Sequence, residues 1–459
     1  MKTPPPLFAR CRRAHDVSVQ ASACKFSCTH LPAACCLHMG CKRPLGAITG
    51  IYALGMRCSL AFVPSTAPHA LRLASNGLHR ARAAVVRTST RRSLWSAKTT
   101  VSMDTANGER KKVVFLGTPE IAASSLGLLL EASRQGKGGG FDVVRAVSNP
   151  PARTGRKKVL QPSAVHALAD SEGIAVMTPA TARDEDFLAE LEELQPDLCI
   201  TAAYGQFLPR RFLDIPKFGT LNVHPSLLPL YRGASPVQRC LEAGDTETGV
   251  TVAFTVLKMD AGPIVRQTVR ELDGSEKAPE LLQELFLEGT KQLIECLPGV
   301  WDNTVKKTPQ DDAAAVKAAK ISVDEARCCF KTSSATTIHN KVRAFAGWPG
   351  TWAMFSWGNE GTDSEARKVK LITTAVADPK AAGHDADGGT IVETSVAERQ
   401  VVMKGDALEV TCSDGSVLRV LELQPLNKKV MSAKAFANGL RGDEMRWVEL
   451  EPLADAVPA

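Results

Sequence analysis

The sequence predicts an α/β protein, in which a doubly wound, mostly parallel sheet is followed by a small β-barrel domain. Between residues 111 and 300, short apolar runs alternate with amphipathic helical patterns, which is typical of a parallel sheet covered by helices on both faces. Beyond residue 320, short alternating strands are separated by turn signals such as Gly405-Asp406 and Asp414-Gly415, which indicates an all-β module.

The α/β region begins with a strand predicted over residues 111–116, which leads through Gly117-Thr118-Pro119 into a helical pattern. The spacing G-x-G-x-x-G is missing after this strand, so dinucleotide binding is not expected. A later amphipathic helix is predicted over residues 275–297, with Ser275 as its N-cap. The other predicted strands are residues 141–147, 198–202, 221–223 and 250–256, and the other helices are residues 162–170 and 184–194.

The domain plan has four parts: a targeting region over residues 1–105 that we expect to be disordered, a catalytic domain over 111–300, a polar linker over 301–319 and the barrel domain over 320–450. Two stretches in the barrel domain, residues 359–367 and 377–388, are expected to be surface loops. The barrel strands are predicted at residues 368–373, 389–396, 400–404, 407–411 and 417–423.

Charge is divided unevenly along the chain. Residues 1–105 hold 15 Lys and Arg against 2 Asp and Glu, a net charge of +13, while the whole chain carries +7. The remainder therefore carries −6, so the basic character belongs to the N-terminal region and does not indicate a nucleic-acid surface on the folded body. No run of about 18 apolar residues predicts a membrane span, and no membrane partner is expected.

The first 105 residues resemble an organelle targeting segment, because they are rich in Arg, Ser and Ala and nearly free of acidic residues. A basic start at Met39, a short apolar run and Phe62 after a small-residue site resemble a bipartite plastid signal. A mitochondrial presequence and an untranslated upstream region remain alternatives. Seven of the 13 cysteines lie here, and Cys24 and Cys28 have no partner pair at metal-ligand spacing, so no metal is expected.

Candidate chemistry follows the predicted strand 221–223. Asn222 and His224 are two residues apart, so on an extended segment both side chains lie on one side. An Asn amide can donate to a developing oxyanion, and a His can carry a proton. Asp260, which follows the next strand, could orient His224. Spacing alone equally allows a satisfied buried histidine and a turn-forming aspartate.

A basic loop after the second strand combines Pro and Gly with four cations, Arg153, Arg156, Lys157 and Lys158. Such a loop could contact the phosphates of a nucleic acid, although an exposed charge run is the common alternative.

An ordered set of motifs resembles the methionyl-tRNA formyltransferase family, within the folate-dependent formyl-transfer superfamily. The resemblance covers about residues 111–447. The motifs are Gly117-Thr118-Pro119, Ala203-Tyr204-Gly205, Asn222 to Pro229, Arg232 to Pro236, Gly244 to Val250, Asp260-Ala261-Gly262, Arg343 to Gly350 and Leu423 to Ala433.

The resemblance implies a Rossmann-like formyltransferase domain, an OB-like barrel and an enzyme that needs no metal. Together with the targeting region, it leads us to expect an organellar enzyme, and we expect a monomer. The donor would be 10-formyltetrahydrofolate, and the acceptor would be the α-amino group of methionine on initiator tRNA. Asn222 would stabilise the oxyanion, His224 would transfer protons, and Asp260 would set the charge and tautomer of His224. The folate pocket would involve Ala203, Tyr204, Gly205, Ser226, Leu227, Leu228 and Pro229. The four loop cations, with Lys428 and Lys429, would contact the tRNA.

The sequence departs from the family pattern at Pro151, at Leu230 and at Cys329 with Phe330. These departures put loop anchoring, the pocket periphery and local packing of the barrel domain in question. Trp348 is expected to be a core anchor. Glycinamide ribonucleotide or water are the alternative formyl acceptors, since enzymes that use them share the Asn, His and Asp trio.

Overall fold

The computed structural model describes residues 110–155, 158–358, 365–377 and 399–449, and these residues belong to one compact unit that spans Thr100–Ala459. The predicted targeting region and the predicted strand 389–396 lie outside the described residues. Among the described residues, no helix has both the length and the apolar character that crossing a membrane would require.

The first domain alternates strands and helices around one large sheet. The elements are β1 (Lys111–Gly117), α1 (Glu120–Arg134), β2 (Phe141–Val147), β3 (Ala152–Thr154), β4 (Val159–Gln161), α2 (Ala164–Ser171), β5 (Val176–Met177), α3 (Glu185–Leu194), β6 (Leu198–Ala202), α4 (Arg210–Leu213), β7 (Thr220–His224), β8 (Arg232–Gly233), α5 (Pro236–Ala243), β9 (Glu247–Phe254), β10 (Ile264–Glu271) and α6 (Ala278–Trp301). The sheet order is β10-β9-β7-β6-β1-β2-β5. Strands β7, β6, β1, β2 and β5 run parallel, and β9 and β10 extend one edge in antiparallel pairing, which confirms the predicted mostly parallel sheet.

Helices cover both faces of this sheet. On one face, Leu126 of α1 and Leu285 of α6 join the strand residues Phe115 and Leu221 in the larger apolar core. On the other face, α3 and α4 close a smaller core, in which the rings of Phe187 and Phe212 stack. Because both faces are covered, a central strand such as β6 is buried at every position.

Several boundaries differ from the sequence prediction, and two of the differences have a clear structural reason. Helix α6 begins at Ala278 with Lys277 as its N-cap, so the predicted cap Ser275 is wrong. The Ser275 hydroxyl instead donates to the Asp273 carboxylate at 2.6 Å, within a turn that precedes the helix. Strand β9 ends at Phe254, two residues earlier than predicted, because the chain then turns toward Asp260.

The second domain is a small antiparallel barrel, as the sequence predicts. Strand β11 (Lys317–Ala318) precedes this domain, whose elements are α7 (Ala335–Ala344), β12 (Trp352–Gly358), β13 (Arg367–Val376), β14 (Gln400–Lys404), β15 (Ala407–Thr411), β16 (Val417–Pro425), β17 (Met431–Ser432), α8 (Ala433–Leu440) and β18 (Glu444–Val448). The strand order is β13-β12-β18-β14-β15-β16, and pairing between β13 and β16 closes the barrel. Phe330, one of the family departures, is buried between Phe355 and Trp447, with both ring-centroid separations at 5.8 Å.

Trp348 does not lie in the core. Its side chain is 55% exposed, so the expectation of a core anchor is wrong. Phe345, three residues earlier, is fully buried and fills the core position instead. Gly347 and Gly350 both adopt positive φ, and the turn they form carries Trp348 to the surface.

The segment predicted as a linker is packed against the first domain. Strand β11 pairs in parallel with β8, and Ile264 and Thr308 exchange two backbone hydrogen bonds of 2.8 Å. We call residues 302–320 the strap. Because it lies beside β8 and β10, the strap contacts the loops that leave the carboxyl edge of the sheet.

Candidate active site

Asn222 and His224 lie at the carboxyl end of β7, two residues apart, so their side chains share one side of the strand. The hydroxyl of Thr201, on the neighbouring strand β6, donates to Asn222 Oδ1 at 2.8 Å. Since this contact occupies the amide oxygen, the amide nitrogen is the end of Asn222 that can donate to a substrate.

His224 is only 5% exposed and has an acceptor beside each ring nitrogen. Nε2 lies 3.0 Å from the Tyr231 carbonyl oxygen, and Nδ1 lies 3.8 Å from Asp260 Oδ1. A neutral imidazole can donate from one nitrogen only, whereas an imidazolium can donate from both. At 3.0 Å the Nε2 contact is within hydrogen-bond distance, whereas at 3.8 Å the Asp260 carboxylate is a nearby charge facing Nδ1.

Asp260 is held in the loop between β9 and β10. Its Oδ2 accepts the backbone N–H of Gly233 at 2.9 Å, which leaves Oδ1 toward His224. The residue has φ of +49°, a left-handed conformation that Asp tolerates better than most side chains. A Cβ on Gly262 would lie 1.7 Å from the Phe254 carbonyl oxygen, so glycine is required for this loop to fold back on β9.

The structure therefore brings the three predicted catalytic residues together at one edge of the sheet. One amide donor and one acid–base pair converge there, which is the set needed to stabilise an oxyanion and move a proton. Ligand sites in open α/β sheets form at this carboxyl edge.

The predicted folate-pocket segment at residues 226–229 is tightly bonded to its neighbours. The Ser226 hydroxyl donates to the Leu230 carbonyl at 2.6 Å, and Ser226 and Leu228 are buried. Thr251 Oγ1 donates to the Ser226 carbonyl at 2.6 Å and accepts the Leu228 N–H at 3.1 Å. Leu227 instead lines a cavity of about 420 Å³ that also borders Tyr231. Pro229 is half-buried, so a ligand could meet Leu227 and Pro229 more directly than Ser226 and Leu228.

The second predicted pocket segment, Ala203 to Gly205, forms a turn with φ of +47° at Ala203 and +82° at Gly205. Tyr204 is 4% exposed, and this burial raises the pKa of its phenol to about 12. Its carbonyl accepts from Thr118 Oγ1 at 3.2 Å and from Asn149 Nδ2 at 3.3 Å. Loops from three strand ends are thus joined at this turn, and Tyr204 contributes mainly as an anchor.

The predicted tRNA loop is a hairpin of β3 and β4, with Arg153 and Lys158 on its exposed surface. Arg156 and Lys157 lie outside the described residues. Val159 and Leu160 are also exposed on the second strand, so the hairpin presents apolar as well as basic side chains. Its base connects to the site through Asn149, which contacts the Tyr204 turn.

Lys428 and Lys429 occupy an exposed turn after β16. The turn is closed by a hydrogen bond from the Lys428 N–H to the Pro425 carbonyl at 3.0 Å. The two lysines lie on the barrel domain, whereas the trio lies on the first domain.

Sequence reasoning did not identify Gln310, which lies in the strap beside the site. Its Nε2 donates to the carbonyl oxygens of Asp260 at 2.8 Å and Gly262 at 2.7 Å. Its Oε1 accepts from Arg232, a buried side chain whose Nη1 also donates to Asp312 at 2.7 Å. A polar residue in a predicted linker gives no local signal of such contacts, because they depend on how the strap folds over β8.

Among the described residues, no group of three or more His, Cys, Asp or Glu side chains is arranged to hold a metal ion.

Comparison with known proteins identifies the family. The sequence matches the formyl transferase domain over residues 111–297 and the formyl transferase C-terminal domain over residues 320–441. It is 33% identical over 327 residues to a methionyl-tRNA formyltransferase of Lysinibacillus sphaericus, a match that covers 71% of this chain and 95% of that protein. Identity to the methionyl-tRNA formyltransferase of Lactobacillus gasseri is 36% over 327 residues, with the same coverage. Among solved structures, an N-formyltransferase from Helicobacter canadensis, in complex with folinic acid and dTDP-3-aminofucose, is 18% identical with a TM-score of 0.46, over 69% of this chain and all of that one. Because relatives above 30% identity match over nearly their whole length, the chain belongs to the methionyl-tRNA formyltransferase family of enzymes.

Proposed function

We propose that this enzyme transfers the formyl group of 10-formyltetrahydrofolate to the α-amino group of methionine on initiator tRNA. The observation that carries the proposal is the convergence of Asn222, His224 and Asp260 at the carboxyl edge of the sheet, in a chain of this family. A formyl group on a folate nitrogen is already activated, so the site needs no covalent enzyme intermediate.

In the proposed reaction, the neutral amine attacks the formyl carbon and a new C–N bond forms. The carbonyl oxygen becomes an oxyanion, to which the Asn222 amide nitrogen donates. His224 takes the proton that the attacking nitrogen loses and returns a proton to the folate nitrogen as its bond to the formyl carbon breaks. The Asp260 carboxylate, 3.8 Å from Nδ1, would offset the positive charge that His224 carries while it holds this proton. The proton lost by the amine thus reaches the folate nitrogen by way of His224, and residues of this chain alone supply the proton transfer and the oxyanion donor.

We propose a charged tRNA as the acceptor because exposed Lys and Arg side chains lie on the hairpin and on the barrel domain, outside the catalytic trio. Arg153 and Lys158 extend on the hairpin whose base adjoins the site, and Lys428 and Lys429 are exposed on the barrel domain. Exposed Trp348 lies on the same domain. Phosphate contacts from dispersed cations position an RNA without reading its sequence, whereas a small acceptor would not require them.

The direct test is an acceptor comparison with the purified full chain. The chain would be given 10-formyltetrahydrofolate with methionine-charged initiator tRNA, with glycinamide ribonucleotide, or with water as the only acceptor. We expect formyl-methionyl-tRNA as the product. Formylation of glycinamide ribonucleotide, or formate release without formylation of the tRNA, would contradict the proposal.

We further propose that the enzyme acts in translation initiation in the mitochondrial matrix or the plastid stroma. The support is the composition of residues 1–105, which carry a net charge of +13 and two acidic residues. Residues 1–105 fused to a fluorescent protein should enter one of these organelles. A fusion that remains in the cytosol would overturn the localisation and leave the reaction unaffected.

A further inference from the structure

The loop that carries Asp260 depends on a side chain outside the trio. Asp260 has φ of +49°, and the following Gly262 packs directly against the Phe254 carbonyl. Met259, just before Asp260, is exposed and adds little packing. A loop of this shape needs hydrogen bonds to hold its backbone, and Gln310 supplies two of them, to the carbonyls of Asp260 and Gly262.

The orientation of the Gln310 amide is fixed by its partners. A guanidinium can only donate, so the end facing Arg232 must be the oxygen, which accepts from Nε at 3.0 Å and Nη2 at 2.7 Å. Carbonyl oxygens can only accept, so the end facing the Asp260 loop must be the nitrogen. Rotation of the amide by 180° would point its NH₂ group at the Arg232 guanidinium and its oxygen at the two carbonyl oxygens.

The hydrogen bond to the Asp260 carboxylate also depends on the strap. Asp260 Oδ2 accepts from the Gly233 N–H, and Gly233 belongs to β8, which pairs with strap strand β11. A Cβ on Gly233 would lie 2.4 Å from the Ala318 carbonyl oxygen, so the strap lies in direct contact with this glycine. The strap thus supports both the backbone and the carboxylate of Asp260.

We propose that Gln310 is a positioning residue for formyl transfer. By holding the Asp260 loop through its backbone, Gln310 sets the separation between the Asp260 carboxylate and His224, which is 3.8 Å in this structure. The inference rests on the proposed function, because it assigns Gln310 a part in that reaction. A misplacement of a catalytic group by about 1 Å can lower a rate by about 100-fold, so a hydrogen-bonded loop of this kind has kinetic consequences.

The sharpest variant is Gln310→Glu. Its carboxylate keeps an acceptor for Arg232 and adds a charge, but its second oxygen then faces the carbonyls of Asp260 and Gly262 without a proton to donate. We expect an unfolding temperature no lower than that of Gln310→Ala, because the contact with Arg232 is retained. We also expect a kcat about 10-fold to 100-fold below wild type, with little change in KM for either substrate.

Gln310→Ala provides the comparison. It removes both contacts and leaves space for water, which can bridge the guanidinium and the carbonyls. This variant should therefore be the less stable of the two and yet the more active. A residue that only supports the fold would give the opposite order of activities, since activity would follow stability. Asp311→Asn, next to Gln310 on the strap, changes a carboxylate that accepts the Ala313 N–H and should keep the wild-type kcat.

A double-mutant cycle with Asp260→Asn tests whether the effect of Gln310 on kcat depends on the Asp260 carboxylate. If Gln310 acts through Asp260, adding Gln310→Glu to Asp260→Asn should lower kcat by less than threefold, far less than in the wild-type background. A wild-type kcat in Gln310→Glu, a loss confined to KM, or full additivity with Asp260→Asn would overturn the inference. Failure of the wild-type chain to formylate charged tRNA would instead refute the proposed function, so the two failures are distinguishable.

Discussion

The trio and the basic hairpin hold their polar side chains in different ways. Asn222, His224 and Asp260 each contact a protein partner from another strand or loop, and His224 is buried. Arg153, on the three-residue strand β3, and Lys158, in the turn before β4, are exposed. Chemistry requires fixed geometry, whereas phosphate contacts require mainly charge and reach. Substitutions in the two regions should therefore affect different kinetic quantities.

The largest effect is expected for His224→Ala. Loss of the proton-transfer group should lower kcat by about 10²-fold to 10⁴-fold while the affinity for tRNA is unchanged. Steady-state kinetics with charged tRNA and the unfolding temperature would be measured together. His166→Ala serves as the control, because His166 lies on α2 and pairs with Asp170 away from the site. A variant that keeps more than half of wild-type kcat would refute the role of His224.

Asn222→Ala should produce the next largest loss. Removal of one oxyanion donor lowers kcat by about 10²-fold to 10³-fold in other enzymes. The KM for 10-formyltetrahydrofolate should stay within about twofold of wild type, since the donor acts in the transition state. Thr201→Val removes only the hydroxyl that orients Asn222 and should lower kcat by a smaller factor than Asn222→Ala. A larger loss in Thr201→Val than in Asn222→Ala would contradict the assignment.

The hairpin substitution Arg153→Ala with Lys158→Ala should weaken tRNA binding. Each phosphate contact contributes about 0.7 to 0.9 to the slope of log affinity against log salt, so the slope should fall by up to about 2. Binding would be measured at several salt concentrations. The matched control, Arg210→Ala with Lys217→Ala, removes two exposed cations near α4 and the start of β7. Equal slopes for the two double variants would remove the hairpin from the tRNA interface.

A smaller effect is expected for Lys428→Ala with Lys429→Ala. These lysines lie on the barrel domain, and their contribution should be a decrease in tRNA affinity of severalfold, with kcat unchanged. The same binding assay gives the result, and wild-type affinity at every salt concentration would exclude this turn from the interface.

Regular and locally encoded features were predictable from the sequence. Strands β2, β6, β14 and β15 have the predicted bounds, because each is a compact apolar or alternating run bordered by turn residues. Strands β12 and β18 were missed. Strand β12 contains two tryptophans and no charged residue, whereas β18 contains Glu444 and Arg446, and the two strands pair with each other. Pairing between distant segments leaves little local signal.

In the site, too, residues fixed by local spacing were predicted and residues placed by long-range packing were not. Asn222 and His224 were assigned to one side of a strand by their spacing alone, and the structure places them there. Gln310 was missed because its partners, Arg232 and Asp260, are remote in sequence and meet only when the strap packs on β8. Trp348 was placed wrongly because an aromatic residue favours burial, while the positive φ of Gly347 and Gly350 turns it outward.

The most direct test of the difference between the two regions is the rate of a single turnover at saturating charged tRNA. The hairpin variant should reach the wild-type rate once enough tRNA is present, because its trio is intact. His224→Ala should remain about 10²-fold or more below wild type at any tRNA concentration. A hairpin variant that stays equally slow at saturation would show that the two regions are not separable and would contradict the account.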